Sequence, residues 1–115
     1  MEIIKQREMK RIEVIETARR WASSLDFNVT AILIGSYARG DFNLWSDVDI
    51  LLISNIFKGN PLDRLRSINM PPGFQAIPIN LEEFNTLKMR GDILVREALK
   101  YGIVLRDDLQ LLWKL

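Results

Sequence analysis

Asp47 and Asp49 stand two residues apart, and Asp47-Val48-Asp49 opens the hydrophobic run Ile50-Leu51-Leu52-Ile53. Side chains alternate between faces along a strand, so both carboxylates leave the same face, with Cα atoms ~7 Å apart. Two anionic groups placed in this way repel unless a cation lies between them. Magnesium, or manganese in its place, suits that position, because it binds one or two carboxylates together with substrate phosphate oxygens. Gly35-Ser36 ends a second apolar run and supplies the complementary half. A glycine at a strand end lets backbone approach a ligand closely. The amides that follow it, with the Ser36 hydroxyl, make an anion site of the kind that holds phosphate. Arg39 adds a cation suited to a triphosphate. Taken singly, Asp-x-Asp is usually a strand end and Gly-Ser usually a turn. Together, each attached to a hydrophobic strand, they point to a nucleoside triphosphate held through a divalent metal.

Absences narrow the chemistry further. The chain has no cysteine, which excludes disulfides, thiolate nucleophiles and Cys-ligated zinc or iron–sulfur centres. It has no histidine either, which removes a Ser-His-Asp triad, an imidazole base and a His-ligated metal. Any metal must therefore be held by oxygen ligands, which selects magnesium, manganese or calcium. The 16 basic and 15 acidic residues nearly cancel, so direct nucleic-acid binding has no support from bulk charge. The cluster Lys10, Arg11, Arg19 and Arg20 reads as a solvated helix face. No apolar run approaches the ~20 residues of a membrane span. The first residues, Met1-Glu2-Ile3-Ile4-Lys5-Gln6-Arg7-Glu8, are too charged for a signal peptide. The expected location is cytoplasmic.

These side chains need elements to position them. Met9, Ile12, Ile15, Ala18, Ala22 and Leu25 recur at helical spacing, which predicts a helix over 2–25. Val29 to Ile34 reads as a strand buried on both faces, Tyr37-Ala38-Arg39-Gly40 as a turn into a short helix, and Asp47 to Ile53 as a second strand. Asn60-Pro61 starts a short helix to Ile68, stopped by Pro71-Pro72-Gly73. Phe74 to Ile79 is a third strand. Asn80 with Glu83 makes a capping box for a helix from Leu81 to about Arg90. Asp92 caps a last helix to Tyr101, with Gly102 as its stop and a small strand at Ile103-Val104-Leu105. Residues 1–115, which hold 48% hydrophobic and 27% charged residues, are thus expected to form one α/β (α+β) domain, its helices packed on a small mixed sheet.

Gly35-Ser36, ten residues, then Asp47-Val48-Asp49 resembles the signature of the DNA polymerase β-like nucleotidyltransferase superfamily. Tyr37-Ala38-Arg39-Gly40 and Ser46 resemble in particular the minimal nucleotidyltransferases (MNT), often found as antitoxins to HEPN-domain toxins. Weaker likeness runs through Ile77-Pro78-Ile79, Glu82-Glu83-Phe84 and Ala98 to Leu105. The resemblance implies a nucleotidyltransferase fold, Asp47 and Asp49 as catalytic metal ligands, and Gly35 and Ser36 as phosphate-holding residues. It also implies transfer of a nucleoside monophosphate, AMP from ATP, onto a hydroxyl.

The pattern departs from the family at one point. Relatives carry a third carboxylate on a later strand, where it completes metal binding and can take the acceptor proton. Here no Asp or Glu occurs between Asp63 and Glu82, and Gln75 is the only polar side chain inside the candidate strand. A carboxamide can offer an oxygen to a metal, but it carries no charge and is no base near neutral pH. Glu82 and Glu83 are the nearest acids, although capping and solvent suit both better. Two outcomes follow: a weak or partner-dependent transferase, or a non-catalytic relative that binds nucleotide or a protein. Larger relatives use an extra domain to hold the acceptor. The acceptor here is accordingly expected on a partner chain, HEPN-type by the resemblance, or across a homo- or hetero-oligomer interface. Trp113 with Leu109, Leu111 and Leu112 offers an apolar docking surface, as does Trp45, whereas Trp21 reads as core.

Overall fold

A computed structural model describes residues 2–112. The chain runs α1 (Glu2–Ser23), β1 (Thr30–Ile34), α2 (Gly35–Arg39), β2 (Val48–Ile53), α3 (Pro61–Leu65), β3 (Phe74–Ile79), α4 (Leu81–Met89), α5 (Ile93–Tyr101) and β4 (Ile103–Asp107). The strands form one mixed sheet in the order β3-β2-β1-β4. β1 pairs antiparallel with both β2 and β4, while β2 and β3 run parallel. This is the α/β fold class expected from the sequence.

The alternation of side chains divides the core between the two faces of the sheet. Ala31, Leu33, Ile50 and Leu52 meet α1 through Val14, Ala18 and Ala22. Ile32, Ile34, Leu51, Ile53 and Ile79 meet α4 and α5 through Phe84, Val95 and Ala98. All five residues of β1 are buried, as a central strand covered on both sides requires. The face of α1 differs from the sequence expectation. Met9 and Ile12 are 68% and 55% exposed, and the packed stripe is Val14, Ala18 and Ala22, with Ile15 and Trp21 at its margins. A row at spacings of three and four can be drawn on either side of a helix containing this many apolar residues. Small alanines at the point of closest approach decide between them.

Local chemistry ends the elements where the sequence indicates. The Asn60 side chain accepts from the Asp63 amide with Pro61 in the first turn of α3, although that helix stops at Leu65, short of Ile68. Asn80 and Glu83 form the reciprocal capping box of α4. Asp92 accepts from the Leu94 amide to open α5. Arg106 of β4 reaches across to the end of α1, where Nη1 donates to the carbonyls of Ala22 and Leu25 at 2.8 and 2.9 Å and Nη2 donates to Phe27. One carbonyl of the last turn of α1 and two of the loop after it are thereby held by a distant strand. Leu109, Leu111 and Leu112 pack against the α4–α5 side of the core. The apolar tail is therefore chiefly an internal covering, and Trp113 lies outside the described residues.

Candidate active site

The sheet register brings the chemical residues together. β1 ends at Ile34, which pairs with Asp49, so the chain turns at Gly35 directly beside that carboxylate. On the other side of β2, Asp49 pairs with Gln75 at the start of β3. Asp49, Leu51 and Ile53 share the α4–α5 face with Gln75, Ile77 and Ile79, as strand alternation demands. Asp47 sits one residue before β2 and is exposed, whereas Asp49 is half-buried. The Gln75 amide Nε2 donates to Asp47 Oδ2 at 3.1 Å. Gln75, expected at the position of a third carboxylate, thus lies against the two aspartates. Among the described residues no third acidic, histidine or cysteine side chain completes a cluster with them.

Gly35 has two reasons to be glycine. Its φ is +76°, in the left-handed region that glycine occupies without steric cost. A Cβ placed there would stand 2.7 Å from Asp49 Oδ2. The loop after β1 and the carboxylate on β2 therefore touch, which joins the two halves of the motif in space.

The two carboxylates bear on each other's charge. Burial first, and the Asp47 charge second, push the Asp49 carboxyl above its ordinary value, while Arg39 pulls the other way. A cation between the carboxylates would relieve both the repulsion and the desolvation. The donor set of two carboxylates, with the Gln75 carbonyl oxygen within reach of rotation, suits a hard divalent ion completed by water and phosphate oxygens. Arg39, expected among the nucleotide ligands, occupies the end of α2. Its Nε donates to Asp41 at 3.2 Å and Nη1 to Glu97 of α5 at 3.0 Å, and these hydrogen bonds, Asp41 first, push its pKa above the ordinary arginine value. Glu82 and Glu83 belong to the far end of β3, where Glu83 caps α4 and pairs with Arg64 at 2.6 Å.

The sequence did not reveal Arg11, which reads there as part of a solvated basic face. Its Nε donates to the Tyr37 carbonyl at 2.7 Å and its Nη2 to Ala38 at 2.8 Å. These are carbonyls of α2, so a side chain from α1 fixes the short helix that carries Gly35 and Ser36. Tyr37 stacks on Phe42 at 4.3 Å, with Arg7 over the Phe42 ring, which secures the same helix from beside it. The one available signal was position, since Arg11 lies on the Val14–Ala18–Ala22 side of α1.

Comparison with known proteins agrees with this geometry. The family model described as nucleotidyltransferase domain matches residues 12–111, nearly the whole chain. A crystal structure of a candidate nucleotidyltransferase from Sulfolobus solfataricus superposes with a TM-score of 0.56. It is 22% identical over 90% of this chain and 86% of that one, so the likeness is one of fold. No curated protein matches. The family match spans β1, α2, β2 and the strand of Gln75 in one stretch, and the chain therefore belongs to the nucleotidyltransferase domain family, as Gly35-Ser36 and Asp47-Val48-Asp49 led one to expect.

Proposed function

We propose that this protein transfers a nucleoside monophosphate, AMP from ATP, onto a hydroxyl acceptor carried by a partner protein. One observation carries the proposal: Asp47, bonded to Gln75, stands close enough to Asp49 to bear on its charge, with the Gly35 turn packed against Asp49. In this account Gly35 and Ser36 hold the triphosphate, and Asp47 and Asp49 hold magnesium or manganese. The bound metal would supply charge neutralisation at the α-phosphate and the leaving pyrophosphate. The chain's own contribution is placement. The register of β1 with β2 keeps the carboxylates beside the phosphate turn, and Arg11 holds α2 in line with them. Placement of this kind removes orientational freedom that the reaction would otherwise have to lose.

Proton removal from the acceptor is the weak step. Gln75 occupies the place beside Asp47 where a base would be useful, and a carboxamide cannot take a proton near neutral pH. Its amide hydrogen bond to Asp47 supports the second reading, a nucleotide-binding or protein-interaction module with little turnover. The acceptor hydroxyl then either transfers its proton to solvent or meets a base brought by the partner. A HEPN-type toxin is the partner class proposed from the sequence resemblance, with the chain as its antitoxin.

Transfer of label from α-labelled ATP to a co-purified partner, in the presence of magnesium, tests the proposal. Asp47→Ala and Asp49→Ala should each reduce transfer by at least about a hundredfold, the usual scale for removing a charge-stabilising group at a reacting phosphate. Transfer that survives both substitutions would sink the assignment. Gln75→Asp separates the two readings: a rise in turnover marks an enzyme limited by its missing base, and an unchanged null marks a binding module.

A further inference from the structure

A cavity of about 290 Å³ opens beside Gly35 on the α5 side of α2. Its walls are Ile34, Gly35, Arg39, Ile93, Leu94 and Glu97. That volume is at the lower end of small-ligand sites, ~300 Å³, and takes a ring system rather than a whole nucleotide. On the opposite side of α2 a second cavity, of about 280 Å³, is lined by Arg7, Tyr37 and Phe42 and does not reach Gly35. A nucleotide whose phosphates lie at Gly35 therefore meets the α5-side cavity directly, since that is the one Gly35 itself lines. Ile93 opens α5 yet is 72% exposed, an apolar side chain facing the cavity without a cover. Arg39, held between Asp41 and Glu97, brings a guanidinium to the rim. Glu97 engages Arg39 through Oε2, and among the described residues no donor is bonded to its Oε1, the oxygen that would accept from a ligand.

We propose that this cavity receives the nucleobase and that Glu97 makes it selective for a base with an exocyclic amine, as in adenine or cytosine. The inference rests on the nucleotide assignment of the Gly35–Asp49 centre and adds to it the choice of base. An amine pointed at a carboxylate oxygen forms a charge-assisted hydrogen bond. A carbonyl in the same place, as in hypoxanthine or uracil, brings two acceptors together and leaves both unsatisfied. Ile93 and Leu94 supply the apolar surface on which the ring lies.

Calorimetric titration of the full chain with magnesium and two matched pairs, ATP against ITP and CTP against UTP, tests this directly. Each amino-bearing nucleotide should bind about tenfold tighter than its oxo partner, the scale of one charge-assisted hydrogen bond. In Glu97→Gln the carboxamide can accept or donate, and both ratios should fall to near one. Reading the ratios removes the general gain in affinity expected from deleting a negative charge. Ile93→Asn, at an exposed position that tolerates substitution, should weaken ATP about fivefold or more while leaving inorganic triphosphate unchanged, since only the base meets that wall. Ratios that persist in Glu97→Gln, or an Ile93→Asn variant that weakens triphosphate as much as ATP, would overturn the base pocket and leave the transferase proposal standing. Failure of the native protein to bind any of the four nucleotides would overturn both.

Discussion

Asp49 is asked to carry a charge where folding disfavours one. Its carboxyl titrates above its ordinary value because it is half-buried beside Asp47. A carboxylate raised in this way destabilises the folded state only when ionised. The penalty is absent below the unfolded value, grows as pH rises, and is complete above the folded value. Asp49→Asn should therefore match the native protein in acid and melt on the order of a few degrees higher near neutral pH. Thermal melts across that range check it, and a variant that is less stable at neutral pH would count against a strained centre. Gly35 belongs to the same small space. Any side chain there meets Asp49 Oδ2, so the turn and the carboxylate fit together only with glycine at position 35.

At the scale of elements, two arginines hold what the strands alone do not. Arg11 joins α1 to α2, and Arg106 joins β4 to the end of α1. Arg11→Met keeps the aliphatic stem and removes the donors. It should lower nucleotide affinity by roughly tenfold through a loosened α2, at a cost to stability of about 1 kcal/mol. Calorimetry beside urea unfolding separates the two effects, and an affinity unchanged in a folded variant would remove Arg11 from the account. Glu83 is the corresponding residue of α4. It closes the capping box and pairs with Arg64, whose side chain is only 7% exposed. Glu83→Ala should cost about 2 kcal/mol in urea unfolding, combining a lost cap with an unpaired buried guanidinium. The Arg64 hydrogen bond first, and the Asn80 amide second, hold the Glu83 carboxyl below its ordinary value. Its contribution is accordingly present above the unfolded value and lost as pH falls through the folded one, so the difference between native and variant should shrink in acid.

Across the whole molecule, what was legible in the sequence followed from how local each signal is. Strand β3 was placed at both ends because its flanks are a proline–glycine stop and a capping box, each complete within a few residues. The nearness of Asp47 to Asp49 needed only their spacing, although Asp47 falls one residue before β2 and outside its alternation. The exposed side of α1 was misjudged, because which apolar row is buried depends on a sheet that comes later in the chain. Arg11 was missed for the same reason, since the carbonyls it serves lie 26 and 27 residues away. Arg39 has one partner close in sequence, Asp41, but its other partner Glu97 lies 58 residues away and could not be read from spacing. Long-range choices of this kind are set by tertiary packing, and no window of sequence contains them. Among the described residues no helix is long and apolar enough to cross a membrane.

The central claim is that Asp47 and Asp49 bind a divalent metal together with a nucleotide held at Gly35 and Ser36. Calorimetric titration with a non-hydrolysable ATP analogue, with and without magnesium, addresses it without requiring turnover. Binding by the native protein should depend on magnesium, and that dependence should vanish in both Asp47→Ala and Asp49→Ala. Equal affinity with and without the metal, or magnesium-dependent binding that survives both substitutions, would contradict the account.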